Sequence, residues 1–496
     1  MIPEFLINML INQYGNEQTN KIIEGYKTKR INSLRINTSL TTKEEIISIL
    51  KKENIKFEEV SWYNDALIIN ENINDLDIYK EGKIYMQSLS SMIPPIILSP
   101  ENEKILDMAA SPGGKTTQIY NLSNKEAIIT AVEKNKIRSE RLKYNINKQN
   151  CQATVLNIDA TSLDEFFSFD KILLDAPCSG SGTLNTFDRS LKYFDQKLIK
   201  NCIKTQEELL KKALQILKND HIMVYSTCSI LYEENELQLE KLLKQKKIEI
   251  VPIDENLFKN IPLLPTKIKG TICICPNNQY EGFFVAKIKK IWKKYILRHA
   301  KPIKSLINKD DINQNKNIPL DKKYIKYEKD FINNQEYKNI NNVYTSDYVR
   351  TIQTGKLINK NIIIDKRLGE RIAGIPNYKI TPEEYFYKQI TNKTYKFPNG
   401  ESRKEIENRM YNALMDILEK NDEAIIITHG VSLTFFLMKY CNIDITNIKN
   451  KTRKITYKNK IIYENKIHYL STFKLTFDEN KKLLDIEVLG GLSEII

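Results

Sequence analysis

Lys171-Ile-Leu-Leu-Asp-Ala-Pro-Cys-Ser-Gly180 decides the reading of the first half of this chain. Ile172 to Leu174 form a short apolar run of strand length. Pro177 has no N–H to give a central ladder, so the strand stops before it. Asp175 and Cys178 therefore fall in the loop at the strand's carboxyl end. In open α/β sheets that edge is where ligands bind.

The flanking chain repeats the arrangement. Strands alternate with helices over residues 81–290, the pattern of a parallel, doubly wound sheet. Ile105–Leu106 ends on Asp107 and runs into Ala109-Ala-Ser-Pro-Gly-Gly-Lys115. The adjacent Gly113 and Gly114 are expected to let the backbone approach a ligand, with a helix starting near Lys115. Adjacent glycines do not make a phosphate loop, which spaces them apart. The next strand, 127–132, ends on Glu133, an acid suited to the two hydroxyls of a ribose. Residues 153–156 form a third strand, followed by Asp159, placed to accept from an adenine amino group. Four acids after four successive strands describe a nucleoside site. A later strand, 221–229, carries Cys228 at its carboxyl end, on the same rim as Cys178, and Glu234-Asn-Glu236 opens the helix after it.

Residues 1–80 read as a small α/β cap. Helical spacing covers 5–14 and 19–26, and Arg30 to Thr38 alternates like a strand, leaving Arg30 and Arg35 free to meet phosphate. Thr42 and Glu45 form a capping box for a helix through Lys52. A helix over 84–98 is expected to end near Pro94-Pro95.

Composition sets the class. With 496 residues the chain exceeds one core, and its 41% hydrophobic and 28% charged content suits a soluble globular protein. Seven scattered cysteines imply reduced thiols, and Cys273 and Cys275 are too isolated for a metal site, so no metal is expected. No apolar run spans a bilayer and the first residues lack a secretory pattern, which gives a cytoplasmic protein with no membrane partner. A formal charge of +14 favours a polyanion such as RNA.

Asp107-Met-Ala-Ala-Ser-Pro-Gly-Gly-Lys115, Asp175-Ala-Pro-Cys178, Tyr225-Ser-Thr-Cys228 with Glu234-Asn-Glu236, and Gly282-Phe-Phe284 resemble the Sun/NOL-type RNA cytosine-5 methyltransferases. Leu34-Arg-Ile-Asn37 and Tyr85-Met-Gln-Ser88 extend the likeness to about residues 1–290, closest to the bacterial RsmF group acting on small-subunit ribosomal RNA. The resemblance implies an RNA-recognition cap over 1–80 and a Rossmann-like class I methyltransferase domain over 81–290. It implies S-adenosylmethionine as cofactor, bound by Ala109, Ala110, Ser111, Pro112, Gly113, Gly114, Lys115, Glu133, Asp159 and Asp175. It makes Cys228 the nucleophile, Cys178 the thiol that helps release the product, and Asp175 the acid that contacts the target base. Arg30, Arg35, Lys134, Lys136, Arg138 and Arg141 are candidates for RNA backbone contact. Alternatives are a transfer-RNA cytosine-5 methyltransferase and an RNA-binding protein with a degenerate phosphatase domain.

The second half has a separate pattern. Two apolar strands end alike, in Arg298-His299 and in Thr428-His429-Gly430. Between them lie Ser346-Asp-Tyr-Val-Arg-Thr-Ile-Gln-Thr354 and Arg367-Leu-Gly-Glu370. Arginines that hold an oxyanion beside an imidazole that attacks phosphorus would make a phosphate pocket. These motifs resemble the histidine phosphatase (phosphoglycerate mutase-like) superfamily over 294–496, an α/β three-layer fold. The resemblance makes His299 the nucleophile, Arg298, Arg350 and His429 phosphate ligands, and Glu370 the proton donor, with an unknown phosphorylated small molecule as substrate. Ala300, Pro302 and Ser305 depart from that pattern. Residues 301–340, rich in Lys, Asn and Asp, read as a mobile surface region.

Overall fold

The computed structural model describes all residues except 1, 165, 188–189, 246, 308–314, 339, 360, 376–379, 421–422, 448–449, 451, 478–480 and 493–496. The chain divides into two units, Met1–Lys290 and Ile291–Ile496.

In the first unit the two helical stretches near the N-terminus join as Glu4–Lys27, interrupted at Gly15, whose φ of 75° is left-handed. A four-stranded sheet follows, in the order Phe57–Glu59, Ala66–Ile69, Asn32–Ile36, Ile84–Met86. Thr42 caps the helix Lys43–Lys52 by accepting from Glu45 N, but the box is half formed. The Glu45 carboxylate turns instead to Thr41 Oγ1 and Lys83.

Residues 84–98 are not one helix. Ile84–Met86 is a strand, and the helix Leu89–Leu98 runs through both prolines. Pro95 cannot donate to Ser91 O, and Gln87 Nε2 supplies that hydrogen bond at 3.2 Å. A side chain outside the helix thus repairs the backbone gap that was expected to end it.

The main sheet has nine strands. Five are parallel, in the order Ala153–Leu156, Ile128–Val132, Lys104–Asp107, Phe169–Asp175, Leu217–Thr227. Phe283–Lys290 then joins antiparallel, so the sheet is mixed at that edge. Strands Lys104–Asp107 and Phe169–Asp175 are neighbours although the chain visits two other strands between them. This reversal of strand order is the topological switch point, where a crevice opens beyond the carboxyl ends. Ile172, Leu173 and Leu174 are wholly buried between the helical layers.

The second unit holds a six-stranded sheet, in the order Ile362–Ile364, Val343–Thr345, Glu423–Thr428, Trp292–Arg298, Thr472–Phe477, Leu483–Val488. The first four run parallel; Thr472–Phe477 pairs antiparallel with Trp292–Arg298, and Leu483–Val488 antiparallel with Thr472–Phe477. A separate three-stranded sheet spans Asn442–Asn447, Thr452–Tyr457 and Lys460–Asn465. The Lys- and Asn-rich region is more ordered than its composition implied. Helix Ile325–Asn333 buries Ile332, and Tyr337 beyond it is fully enclosed, because a few apolar anchors recur within the polar sequence. Residues 308–314 and 339 of that region lie outside the described residues. Among the described residues no helix is long and apolar enough to cross a membrane, and no group of three His, Cys, Asp or Glu could hold a metal.

Candidate active sites

Sheet register assembles the first site. Asp175 pairs with Ser226, so residues just past both strand ends share one rim. Cys178 Sγ and Cys228 Sγ approach to 2.9 Å, although 50 positions separate them. Their mutual hydrogen bond, and then burial, push the Cys178 thiol well above its ordinary pKa, so this sulfur keeps its proton.

Asp175 is held at both oxygens. Lys115 Nζ donates to Oδ2 at 2.6 Å and Ser226 Oγ to Oδ1 at 2.8 Å. Lys115 also reaches Ser91 Oγ at 2.7 Å and lies 5.4 Å from the Phe283 ring centre. Burial opposes the Lys115 charge, but the Asp175 carboxylate outweighs it and raises the lysine's pKa. Asp107, by contrast, is 1% exposed and accepts from Thr116 Oγ1 at 2.7 Å, a group of the interior rather than of the crevice.

Glu133 sits at its strand end with Oε1 accepting from Asn135 N at 2.8 Å and Oε2 3.3 Å from Arg138 Nε. Asp159 caps the following turn through Thr161 N and Oγ1, and Lys134 stands 3.9 Å away. Ser111 and Arg138 clasp each other through Ser111 Oγ to Arg138 O (2.9 Å) and Arg138 Nη2 to Ser111 O (3.0 Å). The loop 109–115 is thereby tied to the helix after Glu133.

Protein geometry also accounts for the two loop glycines. Gly113 adopts φ 110°, which excludes other residues. A Cβ on Gly114 would stand 2.9 Å from the Tyr85 ring, so this glycine makes room for protein. The expectation for Arg35 is overturned. It is fully buried, with Nε donating to Gln87 Oε1 at 3.0 Å and Nη2 to Thr117 Oγ1 at 2.7 Å. Strand alternation put it at the surface, but its strand is covered on both faces. Arg30 is half-buried and donates to Gly182 O and Leu184 O, bracing the loop beyond Cys178. Lys134, Lys136, Arg138 and Arg141 are exposed.

In the second unit Arg298 pairs with Thr428 across parallel strands, so His299 and His429 follow side by side, ring centres 5.1 Å apart. His299 Nδ1 lies 2.6 Å from Ala300 O. A carbonyl only accepts, so Nδ1 carries the hydrogen and Nε2 keeps its lone pair, which accepts from Arg350 Nε at 3.2 Å. Arg350 Nη2 meets His429 Nδ1 at 3.0 Å, which places the His429 hydrogen on Nε2, facing Ser346 Oγ at 2.9 Å. Burial first, then the Arg350 cation, holds both imidazoles well below their ordinary pKa and hence neutral. Arg298 stacks 4.1 Å over the Tyr469 ring and donates to Ile467 O. Glu370 Oε1 accepts from Arg371 N, and from Ser432 N and Oγ in the first turn of helix Gly430–Leu437. Ala300 N is taken by Thr354 Oγ1, and Ser305 is exposed.

Sequence reading missed Ser91, Ser226, Ser346, Tyr469 and Tyr348, whose ring centre lies 4.5 Å from that of His429, as members of these sites. Ser226 and Ser346 lie within the quoted motifs, which is a usable signal. Tyr469 arrives from a distant segment and left none.

A switch-point crevice edged by carboxylates, with two thiols on its rim, is the arrangement of a Rossmann-like α/β domain. In particular, residues 95–289 match the model of the 16S rRNA methyltransferase RsmB/F family, residues 2–74 that of the ferredoxin-like domain of RsmF/B-like methyltransferases, and residues 294–472 that of the histidine phosphatase superfamily (branch 1). Ribosomal RNA small subunit methyltransferase F of Shewanella halifaxensis is 32% identical over 284 residues, 52% of this chain and 58% of that protein. The 28S rRNA (cytosine-C(5))-methyltransferase of Mus musculus is 29% identical, covering 60% of this chain and 40% of its own. The chain thus spans about half the length of these curated relatives. A methyltransferase homologue from Pyrococcus horikoshii superposes with TM-score 0.51 at 29% identity, over 58% of this chain and all of that one. NSun6 of the same organism, solved with SFG, shares the fold at 22% identity and TM-score 0.53, over 58% of this chain and 98% of its own.

Proposed function

We propose that residues 1–290 methylate carbon-5 of a cytosine in small-subunit ribosomal RNA. The observation that carries this is the Cys178–Cys228 pair beside Asp175 at the switch point. Carbon-5 of cytosine is a poor nucleophile until a thiolate adds to carbon-6 and makes the ring an enamine. Cys228 Sγ forms that bond. Asp175, fixed by Lys115 and Ser226, contacts the base and supports the charge change at its ring nitrogen. After transfer the carbon-5 proton passes to solvent water, its electron pair restores the carbon-5–carbon-6 double bond and expels Cys228 as thiolate, and the protonated neighbour Cys178 assists that release by hydrogen bonding to the departing sulfur.

The residues fit S-adenosylmethionine. Glu133 and Asp159 are carboxylates suited to hydroxyl and amino groups, and the lysine nearest the crevice, Lys115, is committed to Asp175 rather than open to a pyrophosphate. Residues Ala109–Lys115, Glu133, Asp159 and Asp175 hold it, and when bound it supplies the methyl group. The base must leave its stack to reach the thiols, which favours a loop or single strand.

Cys228→Ala is expected to abolish methyl transfer, and Cys178→Ala to accumulate a covalent protein–RNA species visible as a shifted band. No such band would sink this division of roles. Bisulfite sequencing of RNA from a strain lacking the gene separates ribosomal RNA from transfer RNA.

For residues 294–496 we propose phosphomonoester hydrolysis through His299. The favouring observation is its neutral ring with the Nε2 lone pair directed at Arg350. Nε2 takes the phosphoryl group as the ester P–O bond breaks, Arg298, Arg350 and His429 bind the oxyanion, Glu370 protonates the leaving oxygen, and water then attacks phosphorus to break the N–P bond and release phosphate. Exposure to a generic phosphomonoester should leave acid-labile phosphate on His299. Neither label nor turnover would show a degenerate domain.

A further inference from the structure

The loops that carry the two thiols meet on one carboxylate. Glu234 is 0% exposed, and no ion pair found among the described residues includes it. Its Oε1 accepts from Ser179 N at 2.7 Å and from Gln206 Nε2 at 3.4 Å. Its Oε2 accepts from Ser179 Oγ and from Ser229 Oγ, both at 2.6 Å. Ser179 follows Cys178 and Ser229 follows Cys228.

Further bonds tighten the same junction. Ser181 Oγ and Ser229 Oγ lie 2.8 Å apart, joining the loops a second time. Gln206 Nε2 also donates to Pro177 O at 2.9 Å, just before Cys178. Tyr225 OH donates to the backbone oxygen of Glu234 at 2.6 Å, tying it to the strand that presents Cys228. A buried carboxylate without a cation costs several kcal/mol unless hydrogen bonds replace water. Here the bonds that replace water come from the residues next to both sulfurs. Glu234 has no surface of its own with which to meet RNA.

We propose that Glu234 is a positioning residue that sets the spacing and aim of Cys178 and Cys228. It acts as a shared acceptor, so neither loop moves without straining the other. Its importance for turnover rests on the cytosine-5 reading above, but the thiol spacing does not.

The test uses the full chain. Diamide oxidises two adjacent thiols to a disulfide, its N=N bond taking up the two electrons and two protons. In the wild type the Cys178–Cys228 disulfide should form rapidly, read by mass spectrometry of peptides. Glu234→Ala should slow it about tenfold or more and lower kcat by about ten- to a hundredfold, as a misplacement of about 1 Å can. Glu234→Gln, which keeps the shape and part of the acceptor capacity, should fall between. Where Glu234→Ala does not fold, the Ser179→Ala/Ser229→Ala double variant is judged by the same two rates. Wild-type disulfide rate and kcat within twofold in a folded variant would overturn the proposal, even with a lowered Tm. If the wild type transfers no methyl group, the reading of function fails while the disulfide rates still decide the role of Glu234.

Discussion

Two aspartates illustrate how one residue type takes two fates. Asp175 accepts from Lys115 on the crevice rim, whereas burial pushes the Asp107 carboxyl up to about 6 against the opposing Thr116 hydrogen bond. An unfolded Asp titrates near pH ~3.9. Native Asp107 therefore binds more protons than the unfolded chain between about pH 4 and 6. Its contribution is complete below the unfolded pKa and lost as pH rises through the folded one. Asp107→Asn removes that dependence. Its stability relative to wild type should improve by about 2 kcal/mol from pH 4 to pH 7. Urea unfolding at both pH values measures this, and a pH-independent difference would refute it. Both aspartates end apolar strands in the sequence; only packing separates the sealed one from the one on the crevice.

Between elements, close backbone contact fixes the thiol loop. Gly182 N donates to Cys228 O at 3.0 Å and Gly182 O accepts from Gly282 N at 2.8 Å. A Cβ on Gly182 would lie 2.0 Å from Gly282 O, a clash with backbone that no rotamer relieves. Gly182→Ala should cost about 2 kcal/mol or more in chemical denaturation and reduce methyl transfer more than it reduces cofactor binding. Gly15→Ala has open space around it and only a positive φ to strain, so about 1 kcal/mol and unchanged methyl transfer are expected. The Gly282-Phe-Phe284 motif was legible in the sequence as part of the family resemblance. Its partner Gly182 was not, because nothing local marks which distant backbone will pass so near.

At the scale of the molecule the chain carries two sets of cores. Residues 6–288 supply the clusters around the nine-stranded sheet, and residues 295–492 supply those around the six-stranded sheet. Each set buries its own apolar faces, as an independently folding unit must. A fragment of residues 1–290 should therefore fold alone, melt within a few degrees of one transition of the full chain, and retain methyl transfer. Calorimetry with a methyl-transfer assay checks this; an unfolded fragment would refute it.

The sequence by itself determined the alternation of elements, the strand-end acids and thiols, the two strand-end histidines and the resemblance that each half bears. These are local patterns, set by strand and helix periodicity and by where proline and glycine interrupt them. Tertiary structure alone decided that Cys178 and Cys228 touch, that Asp107 is sealed, that Arg35 is interior, and that Glu234 links both thiol loops. Such facts depend on register and strand order, which bring together residues with no spacing in common.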